Sequence, residues 1–248
     1  MPQPRLSIVV PYRDRAEQLA RFLLHVTLYF QRDKIDKDQP YRITVVEQEA
    51  GRPFNVGALR NIGFLLTEAE SDQVCFHDVD YLPVWADYRP VDRPTRLLWH
   101  GAESVPIDES ARLFVNHDHK EYFGGVVMMP NAVFRRLNGY SNGYWGWGYE
   151  DVDMRMRCQA EGIGLGFRDG TFEPIRHVNR GYEPDGKPSV AHQANRAICQ
   201  RNAEAIRDRN AHRDEGLNSL PFEILERGPI MDGKGQPYPH AERVLVGI

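Results

Sequence analysis

Between residues 6 and 80 the chain switches repeatedly between two hydrophobic periods, and this alternation restricts the fold more than any other feature. Residues 6–10 (LSIVV) are an unbroken apolar run rich in β-branched side chains, closed by Pro11. Such a run predicts a strand covered on both faces. Leu19, Phe22, Leu23, Val26 and Phe30 then recur at helical spacing and make one apolar stripe over residues 15–30. Residues 42–47 (RITVVE) predict a second strand. Leu59, Ile62, Leu66 and Ala69 mark a second helix over 56–70, and residues 74–77 (VCFH) a third strand that runs into Asp78-Val79-Asp80. A β-α-β-α-β order implies a parallel sheet with right-handed crossovers, and ligands of such sheets bind beyond the carboxyl ends of the strands.

The second half is less regular. Residues 123–129 predict a strand and 132–137 a short helix. The Gly- and aromatic-rich turn NGYSNGYWGWGYED then leads into a helix over 151–161. Residues 171–188 are polar and carry Gly and Pro, which predicts a mobile loop. Residues 191–210 read as a charged helix able to bury one stripe, and PFEIL and RVLV as short terminal strands. No repeat, low-complexity tract or linker divides the chain, so the expectation is one α/β domain over 1–248 with a mostly parallel central sheet.

Composition removes several function classes. With 41% apolar residues over 248 positions, the chain can build a core, which argues against disorder. The net charge of −4 argues against a nucleic-acid binder, which normally shows a basic stripe. No run approaches the ~18 apolar residues of a membrane span, and residues 1–5 lack the apolar core of a secretory signal. Cys75, Cys158 and Cys199 are too few and too scattered for a disulfide framework or zinc cluster. They fit a reducing compartment, so a cytoplasmic protein is expected.

Two strings carry chemistry. Asp78 and Asp80, if the strand stays extended, place two carboxylates on one face at its ligand-binding end, where a divalent metal would relieve their repulsion. Two solvated turn aspartates are the alternative. In Trp145-Gly146-Trp147-Gly148-Tyr149-Glu150-Asp151, two indoles on a flexible backbone form a platform suited to sugar rings. The acids after them, including Asp153, complement a helix N-terminus. That does not account for the two tryptophans, and a carboxylate against aromatic surface gains the basicity of a general base. His177 reads as structural unless the fold brings it beside Asp80. Arg13 and Arg15 could hold a diphosphate bidentately.

Taken in order, VPYRDR, FNVGALRNIGF, FHDVDYLP, YFGGV, NGYSNGYWGWGYED, IRH and GLNSL resemble the β-1,4-galactosyltransferase family, glycosyltransferase family 7, across almost the whole chain. The resemblance implies the GT-A fold and inverting transfer from UDP-galactose. It places Pro11, Tyr12, Arg13, Arg15, Phe54 and Val79 around uridine and diphosphate, and Asp78 near the donor ribose or sugar. Tyr122 and Gly125 of YFGGV would lie beside the donor sugar, and Trp147 over it on a small mobile loop. Asp80 and His177 would bind Mn²⁺, Glu150 would hold sugar hydroxyls, and Asp151 would be the catalytic base. The animal enzymes carry an N-terminal anchor and stem, so this chain is expected to be a soluble, bacterial-type relative. Its acceptor would be a carbohydrate, lipid-linked acceptors included, which is compatible with loose attachment to the inner face of a membrane.

The chain departs from the family in three places. Val56 replaces a basic residue of the FNR-type motif. Pro174 and Asn179 stand where the family's third metal ligand is found, leaving Asn179 or water to complete the shell. Residues 178–215 align poorly, so the acceptor is unreadable. UDP-GalNAc, UDP-GlcNAc or UDP-glucose as donor, a glycoside hydrolase and a sugar-binding protein without activity remain as competing readings.

Overall fold

The computed structural model describes residues 5–32, 40–97, 123–175, 181, 183 and 185–248. Strand β1 (Leu6–Tyr12) lies between β2 (Tyr41–Gln48) and β3 (Gln73–His77), parallel to both. Its period-two alternation serves two layers. Leu6, Ile8, Val10 and Tyr12 join the core with Phe22, Leu23, Val26 and Phe30 of helix α1 (Ala16–Arg32). Val9 faces the other way, into the core with Leu59 and Ile62 of α2 (Val56–Thr67). The β-α-β-α-β expectation holds, and helices cover the sheet on both faces.

Pro11 is part of β1 and does not end it. Leu6 donates its N–H to Pro40 on the β2 side, so alternation turns the Pro11 nitrogen toward β3. There pairing has already stopped at Val9–Phe76, while β2 continues to Tyr12–Glu47. The missing N–H therefore costs no ladder bond.

The full sheet runs β7-β5-β6-β3-β1-β2-β10-β9. Here β5 is Thr95–Arg96, β6 Val126–Pro130, β7 Gly166–Phe167, β9 Glu223–Met231 and β10 Pro237–Gly247. The centre β3-β1-β2-β10 is parallel, and antiparallel pairings flank it. The short terminal strands expected from PFEIL and RVLV are in fact a long hairpin whose second strand enters the main sheet. The first strand is an exposed edge and so lacks the apolar alternation that would mark it, whereas β10 buries Glu242, Val244 and Val246. A second correction concerns residues 171–188. Thr171–Pro174 is strand β8, paired antiparallel with β4 (Tyr81–Trp85) and anchored by buried Phe172. Four residues are too few to show a period. Helices α3 (Asn131–Arg136), α4 (Glu150–Ala160) and α5 (Val190–Arg209) complete the fold.

Helix α2 approaches the sheet most closely at Gly63, where a Cβ would stand 2.2 Å from Val9 Cγ1 and 3.1 Å from Val46 Cγ2. Both valines are fully buried and stiff at χ1. Gly63→Ala is expected to cost about 1–3 kcal/mol by overpacking, lowering Tm by about 2–4 °C per kcal/mol. Gly233→Ala, with no atom within 4 Å of its Cβ, should leave Tm nearly unchanged. Equal melting temperatures for the two variants would refute this packing account.

Candidate active site

The site begins where β3 ends. The strand stops at His77, and Asp78-Val79-Asp80 is a turn, not the extended segment the one-face reading required. Asp78 N–H donates to Gly125 O at 2.9 Å and Tyr81 N–H closes back on Asp78 O at 3.4 Å. The two carboxylates consequently face different partners. Asp80 accepts from Arg15 Nη1 at 2.9 Å, and Asp78 accepts from Arg60 Nη2 at 2.8 Å. Behind them, burial lowers the His77 pKa to about 4 and keeps it neutral. Nδ1–H then donates to Asp78 O and Nε2 accepts from Tyr88 O–H, both at 3.0 Å, so both ring nitrogens are engaged.

Arg60 is a residue of this site to which the sequence reading gave no role. It projects from α2 with 2% side-chain exposure, and its other terminal nitrogen reaches Glu150 Oε1 at 3.5 Å. Burial opposes its charge, but Tyr140, Asp78 and Glu150 more than offset this. A signal was available: Arg60 is the single charged residue between Val56 and Thr67 in a helix packed on most of its circumference. Val56, where a basic residue was expected, stands one helical turn before Arg60, on the same side of the helix.

Glu150 and Asp151 open α4 just after a tightly coiled turn. Gly146, Gly148 and Tyr149 all have positive φ, at 92°, 89° and 75°. Tyr149 lacks glycine's freedom there, a strained conformation of the kind found at functional sites. The turn is held from outside. Gly146 N–H donates to Phe54 O at 2.7 Å, and buried Asn195 of α5 reaches the carbonyls of Trp145, Trp147 and Gly148 at 3.1–3.2 Å. Trp147 stacks on His192, with centroids 5.3 Å apart and planes at 23°, and Arg52 lies over Trp145 at 3.9 Å. Asp151 Oδ1 accepts from Val152 N–H at 2.8 Å. Asp153 is structural: fully buried, it accepts from Tyr144, Arg157 and Asn202. Glu150 has its pKa raised to about 7 by burial and by repulsion from Asp151, with Arg60 opposing.

The N-terminal candidates gather at the same end of the sheet. Pro11 and Tyr12 are buried at the end of β1, and Arg13 lies over Phe54 at 5.4 Å and donates to Arg52 O at 2.7 Å. The Val79 side chain is packed in the α1-side core, so its backbone is the part it can offer to a ligand. Buried Gly125 accepts from Asp78 N–H. Tyr122, His177 and Asn179 lie outside the described residues. Asp80 supplies the hard anionic oxygen that a divalent cation takes, and Ile175 N–H donates to Asp80 O at 2.6 Å, bringing the end of β8 beside it. Among the described residues there is no group of three or more His, Cys, Asp or Glu that could hold a metal ion.

Two family profiles match the sequence. One, described as the N-terminal region of glycosyl transferase group 7, covers residues 1–89, and another, the N-terminal domain of galactosyltransferase, covers 109–180. The chain belongs to glycosyltransferase family 7. Human β-1,4-galactosyltransferase 6 is 33% identical over 150 residues, which is 58% of this chain and 36% of the relative. Human β-1,4-galactosyltransferase 7 is 29% identical over 234 residues, 92% of this chain and 64% of the relative. This family 7 chain thus spans between about a third and two thirds of the length of these animal relatives. The catalytic domain of Drosophila β-1,4-galactosyltransferase 7, solved with xylobiose, superposes with a TM-score of 0.73 at 24% identity, covering 99% of this chain and 94% of that one. A mutant of that enzyme, solved with manganese, UDP-Gal and xylobiose, gives 0.72 at 23% identity with the same coverage. The GT-A fold is therefore the fold of this family 7 chain. No helix among the described residues is long and apolar enough to cross a membrane.

The raised pKa of Glu150 makes stability depend on pH. A carboxyl that is about 4.5 when unfolded and about 7 when folded binds its proton more tightly in the native state. Its contribution is complete below pH 4.5 and is lost as pH rises through 7, worth roughly 3 kcal/mol in all. Glu150→Gln should gain stability over the wild type between pH 5 and pH 8, measured by Tm at both. A wild-type-to-variant difference independent of pH would remove Glu150 as the titrating group.

Proposed function

We propose that this chain is an inverting, metal-dependent galactosyltransferase that moves galactose from UDP-galactose to a sugar hydroxyl in β-1,4 linkage. The observation that carries the reading is the convergence of the β3 turn acids Asp78 and Asp80 with the α4 acids Glu150 and Asp151 at the carboxyl end of a parallel sheet, beside two indoles. Acids held across a sugar-binding platform divide naturally into a donor side and an acceptor side. A mutant enzyme of the same fold was solved with manganese, UDP-Gal and xylobiose, which supports a metal, a nucleotide-sugar donor and a carbohydrate acceptor here.

In this reading Pro11, Tyr12, Arg13, Arg15 and Phe54 line the nucleotide and diphosphate, with Asp78 at the donor ribose or sugar. Glu150 holds acceptor hydroxyls. Asp151, steadied by Val152 N–H, takes the acceptor proton as its oxygen bonds the anomeric carbon from the face opposite UDP and the bond to the diphosphate breaks. Asp80 and His177, with Asn179 or water, would hold Mn²⁺, which would supply positive charge against the departing diphosphate. Trp147 and the turn around it exclude water, limiting hydrolysis of the donor. A carbohydrate acceptor, lipid-linked or free, and a cytoplasmic location belong to the same proposal.

Asp151→Asn should leave UDP binding intact, measured by calorimetry with and without Mn²⁺, while turnover of UDP-galactose with xylobiose as trial acceptor falls about 10²–10⁴-fold. UDP binding indifferent to Mn²⁺ would favour a hydrolase or a sugar-binding protein and sink the transferase reading.

Donor choice rests on Tyr122. A ring beside the C2 substituent admits a hydroxyl and crowds an N-acetyl group, a rejection by shape worth about 10–200-fold. UDP-GalNAc should therefore be a poor donor, and Tyr122→Leu should raise its kcat/KM relative to UDP-galactose. An unchanged donor ratio refutes the assignment.

A further inference from the structure

Arg60 has no part in the mechanism above, and it is the more deeply buried of the two arginines paired with the β3 turn acids, 2% exposed against 25% for Arg15. We propose that Arg60 is a positioning residue of the transfer reaction, its guanidinium holding donor-side Asp78 and acceptor-side Glu150 together as one rigid unit. The proposal rests on the division of donor and acceptor sides given above.

Three observations support it. First, the two contacts use the two terminal nitrogens of one planar group, 2.8 Å to Asp78 and 3.5 Å to Glu150, so the distance between carboxylates from β3 and α4 is set by a guanidinium anchored on α2. Second, the site's other arginine is different in kind. Arg15 pairs with Asp80 from the loop after β1 and keeps a quarter of its side chain exposed, whereas Arg60 is 2% exposed in mid-helix. Arg15 can let go when a ligand arrives, but Arg60 has nowhere to go. Third, the placement is costly. Arg60 Nε is buried without a hydrogen-bond acceptor among the described residues, and the group lies over the Tyr140 ring at 5.1 Å. An apolar side chain would fill a helix packed on most sides more cheaply. A fork that must reach two carboxylates requires arginine, since an ammonium is a point charge.

The groups facing Glu150 are Arg60 from α2, Asp78 from the β3 turn, Tyr140 from the turn before α4, and Asp151 on α4 itself. Arg60 is the cation among these four, so its removal should be read at Glu150 directly. The test compares wild type, Arg60→Lys, Arg60→Met, Glu150→Gln and the Arg60→Met/Glu150→Gln double variant. Glu150 is titrated by carboxyl-labelled NMR, and turnover is measured with UDP-galactose and xylobiose. Arg60→Met should raise the proton affinity of Glu150 about tenfold or more and lower kcat about 10²-fold, with Arg60→Lys intermediate in both. The double variant should lose less than the product of the single losses. If Arg60→Met does not fold, Arg60→Lys, which keeps the charge and loses the fork, decides the matter by the same readouts. An unchanged Glu150 midpoint together with wild-type kcat in a folded Arg60 variant overturns the proposal, leaving only a packing role. Absence of turnover in the wild type instead overturns the galactosyltransferase reading, and the NMR midpoint then judges Arg60 alone.

Discussion

Four carboxylates crowd one end of the sheet, and the compensation of their charge is the condition on which the rest of the site depends. Unit charges 4 Å apart repel by roughly 4 kcal/mol at an effective dielectric constant of 20. Asp78, Asp80, Glu150 and Asp151 therefore cannot all be held ionised without cations among them. Among the described residues two arginines pair with them, on different terms. Arg60 is fixed in α2 and pairs with Asp78 and Glu150, while Arg15 sits on a loop and pairs with Asp80, its charge also reaching Asp78. Burial first, and the neighbouring acids after it, still push the Glu150 carboxyl up to about 7 and raise that of Asp78 against the pull of Arg60. Asp78 is thus paired with a side chain buried in a helix and Asp80 with a part-exposed one on a loop, an asymmetry that agrees with the proposal that Asp80 takes the metal.

The position of Arg60 is in turn a consequence of packing. Helix α2 can lie close against β1 and β2 because Gly63 presents no side chain to Val9 and Val46. Its first turn is capped by Asn55, which also holds the Asn142 carbonyl, and Asn61 grips both the N–H and the C=O of Tyr140. The same short helix thus docks on the sheet, carries the guanidinium and clasps the turn that delivers α4. On the far side of α4, Arg157 binds Asp153, Gly139 O and Glu215, tying the helix to the segment before β9. The acids at the start of α4 are located from both sides by buried polar networks, each member of which would be expensive to leave unpaired.

Much of this was legible in the sequence, for an identifiable reason. Strands covered on both faces and helices with one buried stripe advertise themselves by period, and β1, α1, β2, α2 and β3 all do. The turn acids and the Trp-Gly-Trp-Gly run were visible because they break composition locally. Elements defined by what they pair with were not visible. β8 is four residues long, β9 is an exposed edge without alternation, and the insertion of β10 beside β2 joins residues nearly two hundred positions apart. The one-face reading of Asp78 and Asp80 failed because their geometry is decided by the bond from Asp78 N–H to Gly125 and by two arginines, none of which the spacing encodes. Arg60 was overlooked because an arginine in a helix normally reads as solvated surface, and its burial depends on tertiary packing.

The Trp turn shows the same dependence most sharply. Its glycines make the left-handed backbone possible but do not choose among the conformations they allow. The choice is made by α5, a charged helix whose sequence reads as able to bury one stripe. The Asn195 side-chain amide has two hydrogens to offer and stands within reach of three carbonyls of the turn, those of Trp145, Trp147 and Gly148, so the bonds are shared and the carbonyls must converge on one point. His192, one turn earlier on α5, stacks on the Trp147 indole and meets the Tyr149 hydroxyl at 3.4 Å. The pose of the platform is therefore a property of the α5 face and not of the Trp-Gly-Trp-Gly motif. Two chains with the same motif but different residues at the positions of His192 and Asn195 would present their indoles differently. On the proposed function, the way Trp147 covers the donor should follow α5 more closely than it follows the motif by which the site is recognised.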